Sequence, residues 1–149
     1  MALPPLPAEA IALRVDAENW QAAVRAAGAA LTAAGIAKPS YADEMIRMID
    51  EHGPYVVIAP GLALAHARPG PEVLRDGIAV VTLATPINFG HPYNDPVSVV
   101  LALAVDSPDA HVALVAELAN LFNDSSAITD LAAATTVAQV QQLFGREAP

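Results

Sequence analysis

Two side chains able to do chemistry stand one residue apart at His66 and Arg68. The first is a nucleophile that titrates near neutral pH. The second is a permanent cation whose planar fork of N–H donors binds anions. Their neighbours indicate how they are held. Tyr55-Val-Val-Ile58 is a β-branched, aromatic apolar run and predicts a strand. Pro60-Gly61 is turn punctuation, and Leu62-Ala-Leu64 is a second short apolar segment. That segment delivers His66 and Arg68 to Pro69-Gly70-Pro71, where regular structure must stop. A nucleophile and an anion binder at the mouth of a buried element suit phosphoryl transfer. A surface loop with an ordinary His and Arg is the alternative reading.

The other histidines are weighed the same way. Asp106-Ser107-Pro108-Asp109 predicts a helix start, with Ser107 as N-cap and Pro108 at the first helical position. His111 then falls in the first turn, where free N–H groups and positive potential favour an anion and disfavour imidazolium. It is either a neutral donor to an anion or a helix-surface histidine. His52 sits beside Gly53 at a helix end, and the helix dipole explains it without function. His91 lies in a Phe-Gly-His-Pro turn. Zinc held by His66, His91 and His111 is conceivable but lacks HExxH spacing and thiols. The acidic pairs Asp43/Glu44 and Asp50/Glu51 read as helix-surface solvation. No Gly-x-Ser-x-Gly elbow, Walker loop or dinucleotide fingerprint occurs.

Composition narrows the partners. The 149 residues suffice for one domain with one sizeable core, and we assign 1–149 to a single domain with residues 1–7 as an extended lead-in. Hydrophobic residues make up 54% of the chain, which argues against disorder. Seven Lys+Arg against 16 Asp+Glu give a net charge of −9. No basic stripe is left for nucleic acid or an anionic membrane. Cysteine is absent, so disulfides and thiolate zinc sites are excluded. The first seven residues show no secretory signal, and the longest apolar run, Val97 to Val105, is too short to cross a bilayer. The expected location is cytoplasmic.

The elements that must carry these side chains follow from pattern. Ala10 to Val15 predicts a short strand. Asp16 is the candidate N-cap of a helix over 17–34 that Gly35 ends, with Trp20, Val24 and Leu31 on one face. Ser40-Tyr-Ala-Asp43 resembles a capping box opening a helix to His52, with Met45, Ile46 and Ile49 inward. Ile78 to Leu83 and Val97 to Val105 read as buried central strands, with a loop over Thr85 to Pro96. A helix from Pro108 to about Phe122 follows, then a short one to about Ala133. Thr136-Val-Ala-Gln139 predicts a capping box for a last helix ending at Gly145. Strands alternate with helices, and the middle strands are apolar on both faces. The predicted fold is an α/β three-layer sandwich whose mixed, mainly parallel sheet carries helices on both faces. Short links after Leu64 and Leu83 permit antiparallel neighbours.

With these residues in place, the chain resembles a known family. Glu51, Ile58, Ala59, Leu62, Ala63, Leu64, His66 and Ala67 fit the active-site signature of mannitol/fructose-type (type 2) enzyme IIA proteins of the bacterial sugar phosphotransferase system. The resemblance runs from about Ala8 to Phe144. Ala65 departs from it, since the family has Pro before the histidine. Gly-Pro-Tyr-Val-Val-Ile-Ala-Pro-Gly, His-Ala-Arg-Pro, Asn-Phe-Gly-His-Pro and the helix around His111 look most like the ascorbate-specific branch. The resemblance implies the mannitol-type enzyme IIA fold and a phosphocarrier. His66 would accept a phosphoryl group from phospho-HPr, as tele-phosphohistidine, and pass it to a cysteine of enzyme IIB. The membrane component IIC would be met only indirectly. His111 would stabilise the phosphoryl group. The active-site arginine of the mannitol-type proteins aligns with Asp50 here, which leaves Arg47, one turn earlier, and Arg68 as candidates for phosphate binding. No metal or organic cofactor is implied. A regulatory relative, whose phosphorylation state is read and not spent on a sugar, is the second reading. A noncatalytic binding module is the third, and retention of both His66 and His111 argues against it.

Overall fold

The computed structural model describes residues 6–124 and 126–144. Residues 1–5 of the expected lead-in and the expected helix stop at Gly145 lie outside them. After a one-turn 3-10 helix at Ala8–Ala10, the elements in chain order are β1 (Ile11–Val15), α1 (Trp20–Ala33), α2 (Ser40–His52), β2 (Val57–Ala59), β3 (Leu62–His66), β4 (Gly77–Ile87), β5 (Val97–Ala104), α3 (Pro108–Phe122), α4 (Ser126–Ala133) and α5 (Val137–Phe144).

The strands form one sheet in the order β1-β4-β5-β3-β2. β1 pairs parallel with β4 and β3 parallel with β5, while β4–β5 and β2–β3 are antiparallel. The sheet is mixed as expected, but its pairings divide evenly and are not mainly parallel. The reason lies in the connections. Pro60-Gly61 closes a tight β2–β3 hairpin, with Gly61 at φ 82°, and tight links can join only antiparallel strands. β4 and β5 are joined without a crossover helix and are antiparallel for the same reason. β3 and β4 also run oppositely, with β5 inserted between them.

Alternating residues of the central strands serve two cores. Ala63, Ala65, Ala79, Ala102 and Ala104 face α1 and α2, whereas Leu62, Leu64, Ile78, Leu101 and Leu103 face α3, α4 and α5. This is the expected three-layer sandwich. The alanine face lets α1, itself rich in buried Ala, lie close to the sheet. Within that layer the two helices also meet closely: a Cβ on Gly28 would stand 2.5 Å from the Cβ of Ala42.

Capping explains the helix boundaries, including those the sequence misplaces. α1 begins at Trp20, because Asn19 supplies the cap and its Oδ1 accepts the Ala22 N–H at 2.8 Å. Asp16 and Asn19 are equally good caps by type. Residues 16–19 are spent carrying the chain from β1 onto the sheet face. Gly35 (φ 72°) ends α1 in a Schellman motif, with Ile36 N–H donating to Leu31 O and Gly35 N–H to Thr32 O. The capping box expected at Ser40 does not form. Pro39 is already helical at the cap position, Ser40 makes no capping bond, and Asp43 pairs instead with Arg25 across to α1 at 2.9 Å. Ser107 does cap α3, accepting the Ala110 N–H at 3.1 Å, with Pro108 at the first position. The box at Thr136 and Gln139 closes in both directions, at 3.2 Å each way. β4 is longer than expected and runs on through Thr85-Pro-Ile87. Its register slips between Thr82 and Ile87, and the irregularity accommodates Pro86, which cannot donate to a ladder.

Candidate functional site

β3 and β5 are parallel, so their carboxyl ends open at the same edge of the sheet. His66 is the last residue of β3 and pairs in register with Leu103 of β5. β5 then leads through Ser107 into α3, whose first turn carries His111. The two histidines are 45 residues apart in sequence, yet their ring centroids lie 5.1 Å apart at an interplanar angle of 46°. Open α/β sheets bind ligands at the carboxyl ends of their strands, which is where this pair sits.

The His66 ring is fixed in one tautomer. Its Nδ1 lies 3.0 Å from the carbonyl oxygen of Leu64, two residues back in the same strand. A carbonyl only accepts, so Nδ1 carries the proton and Nε2 keeps the free lone pair. Desolvation pulls the imidazole pKa below its ordinary 6.5. The Leu64 carbonyl opposes that shift and the neighbouring His111 adds to it. The ring is therefore neutral and nucleophilic at physiological pH. Tyr55 packs edge-on against it at 5.7 Å and 88°, and against His52 at 6.3 Å.

A cleft of about 280 Å³ opens beside the pair, lined by His66, Arg68, Met48, Pro108, His111 and Val112 among others. Arg68 is exposed at its mouth. Arg47 is not among the lining residues. Its guanidinium lies on the outer surface of α2, held by Glu44 at 2.7 Å and Glu51 at 2.9 Å. The sequence expectation thus separates: Arg68 comes to the histidines, and Arg47 is engaged elsewhere by carboxylates at helical spacing. His91 lies in the loop preceding β5, at the opposite end of the sheet, with Nδ1 accepting from the N–H groups of Tyr93 and Asn94. It cannot converge with His66 and His111. No group of three or more His, Asp or Glu able to hold a metal ion exists among the described residues.

The first turn of α3 offers an anion less than the sequence suggests. Pro108 has no N–H, the N–H of Ala110 is taken by Ser107 Oγ, and that of His111 by Ser107 O at 3.1 Å. The helix contributes its field more than a set of open donors. The unsatisfied group is on the side chain: His111 Nδ1 is buried with no hydrogen-bond partner.

Sequence reasoning missed Tyr41 as a neighbour of the site. This buried side chain of α2 reaches the end of β3, where its hydroxyl accepts the N–H of Ala67 at 3.0 Å and donates to Leu103 O at 2.7 Å. Its position in the inward stripe Tyr41, Met45, Ile49 was a usable signal, since a buried tyrosine hydroxyl needs partners. Desolvation dominates its titration, and the pKa is pushed up to about 12 despite the Ala67 bond.

Residues 5–146 match the family described as "Phosphoenolpyruvate-dependent sugar phosphotransferase system, EIIA 2". The chain belongs to that family. It is an enzyme IIA, and hence a phosphotransferase component. Its relatives include the ascorbate-specific PTS system EIIA component of Shigella flexneri, 37% identical over 139 residues that cover 93% of this chain and 90% of the relative. The protein of the same name from Escherichia coli K12 is 36% identical over the same coverage. Among solved structures, IIA mannitol from Escherichia coli superposes with a TM-score of 0.81 at 27% identity, covering 93% of this enzyme IIA and 98% of that chain. The complex of enzyme IIA of the mannitol system with phosphorylated enzyme IIB, from the same organism, superposes with a TM-score of 0.81 at 26% identity, covering 94% and 96%. No helix among the described residues of this enzyme IIA is long and apolar enough to cross a membrane.

Proposed function

We propose that this enzyme IIA is a phosphocarrier that takes a phosphoryl group from phospho-HPr onto Nε2 of His66 and gives it to a cysteine of enzyme IIB. The observation that carries the reading is the 3.0 Å bond from His66 Nδ1 to Leu64 O, which leaves Nε2 as the one nucleophilic ring nitrogen. The Nε2 lone pair attacks phosphorus as the P–N bond to the HPr histidine breaks, and the HPr imidazole leaves with that electron pair. In the second transfer an IIB thiolate attacks phosphorus, the P–Nε2 bond breaks, and His66 returns to its neutral Nδ1–H form. Both steps need positioning and charge stabilisation more than covalent help from the protein. Arg68 at the cleft mouth supplies a fixed cation for the phosphoryl oxygens. His111 donates to them, and its Nδ1 thereby gains the partner it lacks in the unphosphorylated protein. No cofactor takes part, and the protein works in the cytoplasm. The names of its relatives favour an ascorbate-like substrate for the transport system it serves.

Incubation with phosphoenolpyruvate, enzyme I and HPr, followed by intact mass, tests the reading. One phosphoryl group is expected, labile in acid and stable in base, lost in His66→Gln and discharged by a reduced IIB. Labelling that survives in His66→Gln overturns the assignment.

A further inference from the structure

We infer that Tyr41 is a positioning residue for the phosphoryl transfers at His66, acting through its buried hydroxyl on the backbone at Ala67. The inference rests on the carrier reading and extends it to a residue that touches no reacting atom.

The β3–β5 ladder ends at the pair His66 and Leu103. Just beyond it, the Ala67 N–H and the Leu103 carbonyl are bridged by one hydroxyl from another layer of the fold, at 3.0 Å and 2.7 Å. Ala67 separates His66 from Arg68, the two side chains that would contact the phosphoryl group from this strand. Leu103 belongs to the strand that runs on to Ser107 and the helix of His111. A single hydroxyl therefore ties the segment bearing His66 and Arg68 to the strand leading to His111. It is 2% exposed as part of Tyr41, so water does not compete for either bond. Removing it takes a partner from a buried N–H and a buried C=O, and the chain at 66–68 must shift to compensate. A shift of about 1 Å near a reacting centre costs on the order of a hundredfold in rate. The His66 tautomer is exposed to the same shift, because the Leu64 carbonyl that fixes it lies in the same strand end. From the same helix, Met48 lines the cleft wall.

The test is Tyr41→Phe, assayed well below its melting temperature with saturating and limiting phospho-HPr. The expected result is a maximal transfer rate lowered roughly ten- to a hundredfold with the KM for HPr changed less than about twofold. Long-range 15N–1H spectra should show the His66 ring losing its single Nδ1–H tautomer while the His52 and His91 signals stay put. A purely structural role predicts lower stability with an unchanged maximal rate and an unchanged His66 ring, and that outcome overturns the inference. If Tyr41→Phe does not fold, meta-fluorotyrosine at position 41 keeps the hydroxyl but weakens it as an acceptor. A transfer rate lowered a few-fold is then expected, and a wild-type rate overturns the inference. Wild-type protein that accepts no phosphoryl group refutes the carrier reading alone, because the tautomer readout needs no transfer.

Discussion

Single residues decide the chemistry. A neutral His66 with its proton held on Nδ1 is ready to attack at a pH where a free imidazole is already part protonated. His111 contributes an unpartnered nitrogen one ring away. Replacing His111 by Ala is expected to leave folding intact and slow phosphoryl transfer by roughly ten- to a thousandfold, the range for one preorganised donor. Rapid-quench phosphorylation measures it, and an unaltered rate would reduce His111 to a bystander. The two arginines should behave differently. Arg68→Ala should slow transfer by about tenfold or more, as expected for a charge-assisted contact. Arg47→Ala should leave the rate within about twofold, since its charge is spent on Glu44 and Glu51. The reverse ranking in the same assay would return the arginine role to α2. The sequence offered both candidates with equal weight because spacing along a helix does not tell which face meets the cleft.

At the scale of elements, local rules conflict and packing chooses. Gly28 lies in the interior of α1, where Gly→Ala ordinarily gains about 1 kcal/mol from helix propensity. Here the new Cβ would stand 2.5 Å from Ala42 Cβ in α2. Overpacking of this kind costs about 1–3 kcal/mol, and two helices docked on one sheet face cannot separate freely. Gly28→Ala is therefore expected to lower stability despite better propensity, read as a reduced midpoint in urea. A raised midpoint would mean that α1 and α2 yield easily. The same override explains α2 itself. Ser40 and Asp43 satisfy the capping-box pattern, yet Asp43 turns to Arg25 because α1 passes beside it. The N-cap at Ser107 and the box at Thr136 form as written.

For the molecule as a whole, two rings withdrawn from solvent, His66 in part and Tyr41 fully, contribute to the pH dependence of stability. The His66 pKa lies below 6.5 in the folded state. The unfolded chain takes up the proton first on acidification, so stability present above pH 6.5 is lost as the pH falls through the folded value. Tyr41 acts at the other end. Its pKa rises from 10.0 to about 12 on folding, so its contribution is complete below pH 10 and lost as the pH climbs toward 12. Two units correspond to roughly 3 kcal/mol. Denaturant midpoints between pH 5 and 11 should fall at both ends, with the alkaline slope reduced in Tyr41→Phe and the acid slope in His66→Ala. A flat profile would contradict both assignments. Net charge adds a second whole-molecule effect. At −9 the protein should attract a basic partner face, and phosphorylation by HPr should slow as salt rises past physiological ionic strength. A rate indifferent to salt would exclude steering while leaving the carrier role standing.

The sequence by itself determined the alternation of strands and helices, the two-faced burial of β4 and β5 and the cap at Ser107, and it singled out His66 as the candidate nucleophile. Each is written in local side-chain chemistry: periodicity, turn residues and caps act within a few positions of one another. Tertiary structure alone decided the strand order, and with it the 5.1 Å approach of His66 to His111. It also decided which arginine meets the cleft and the bridge from Tyr41 to the end of β3. Those choices depend on β5 inserting between β3 and β4, a long-range pairing whose contacts join residues tens of positions apart. No window of sequence encodes such a pairing, because burial on both faces makes β3, β4 and β5 nearly equivalent as apolar runs. Their order is settled only when connection lengths, helix layers and side-chain volumes are satisfied together.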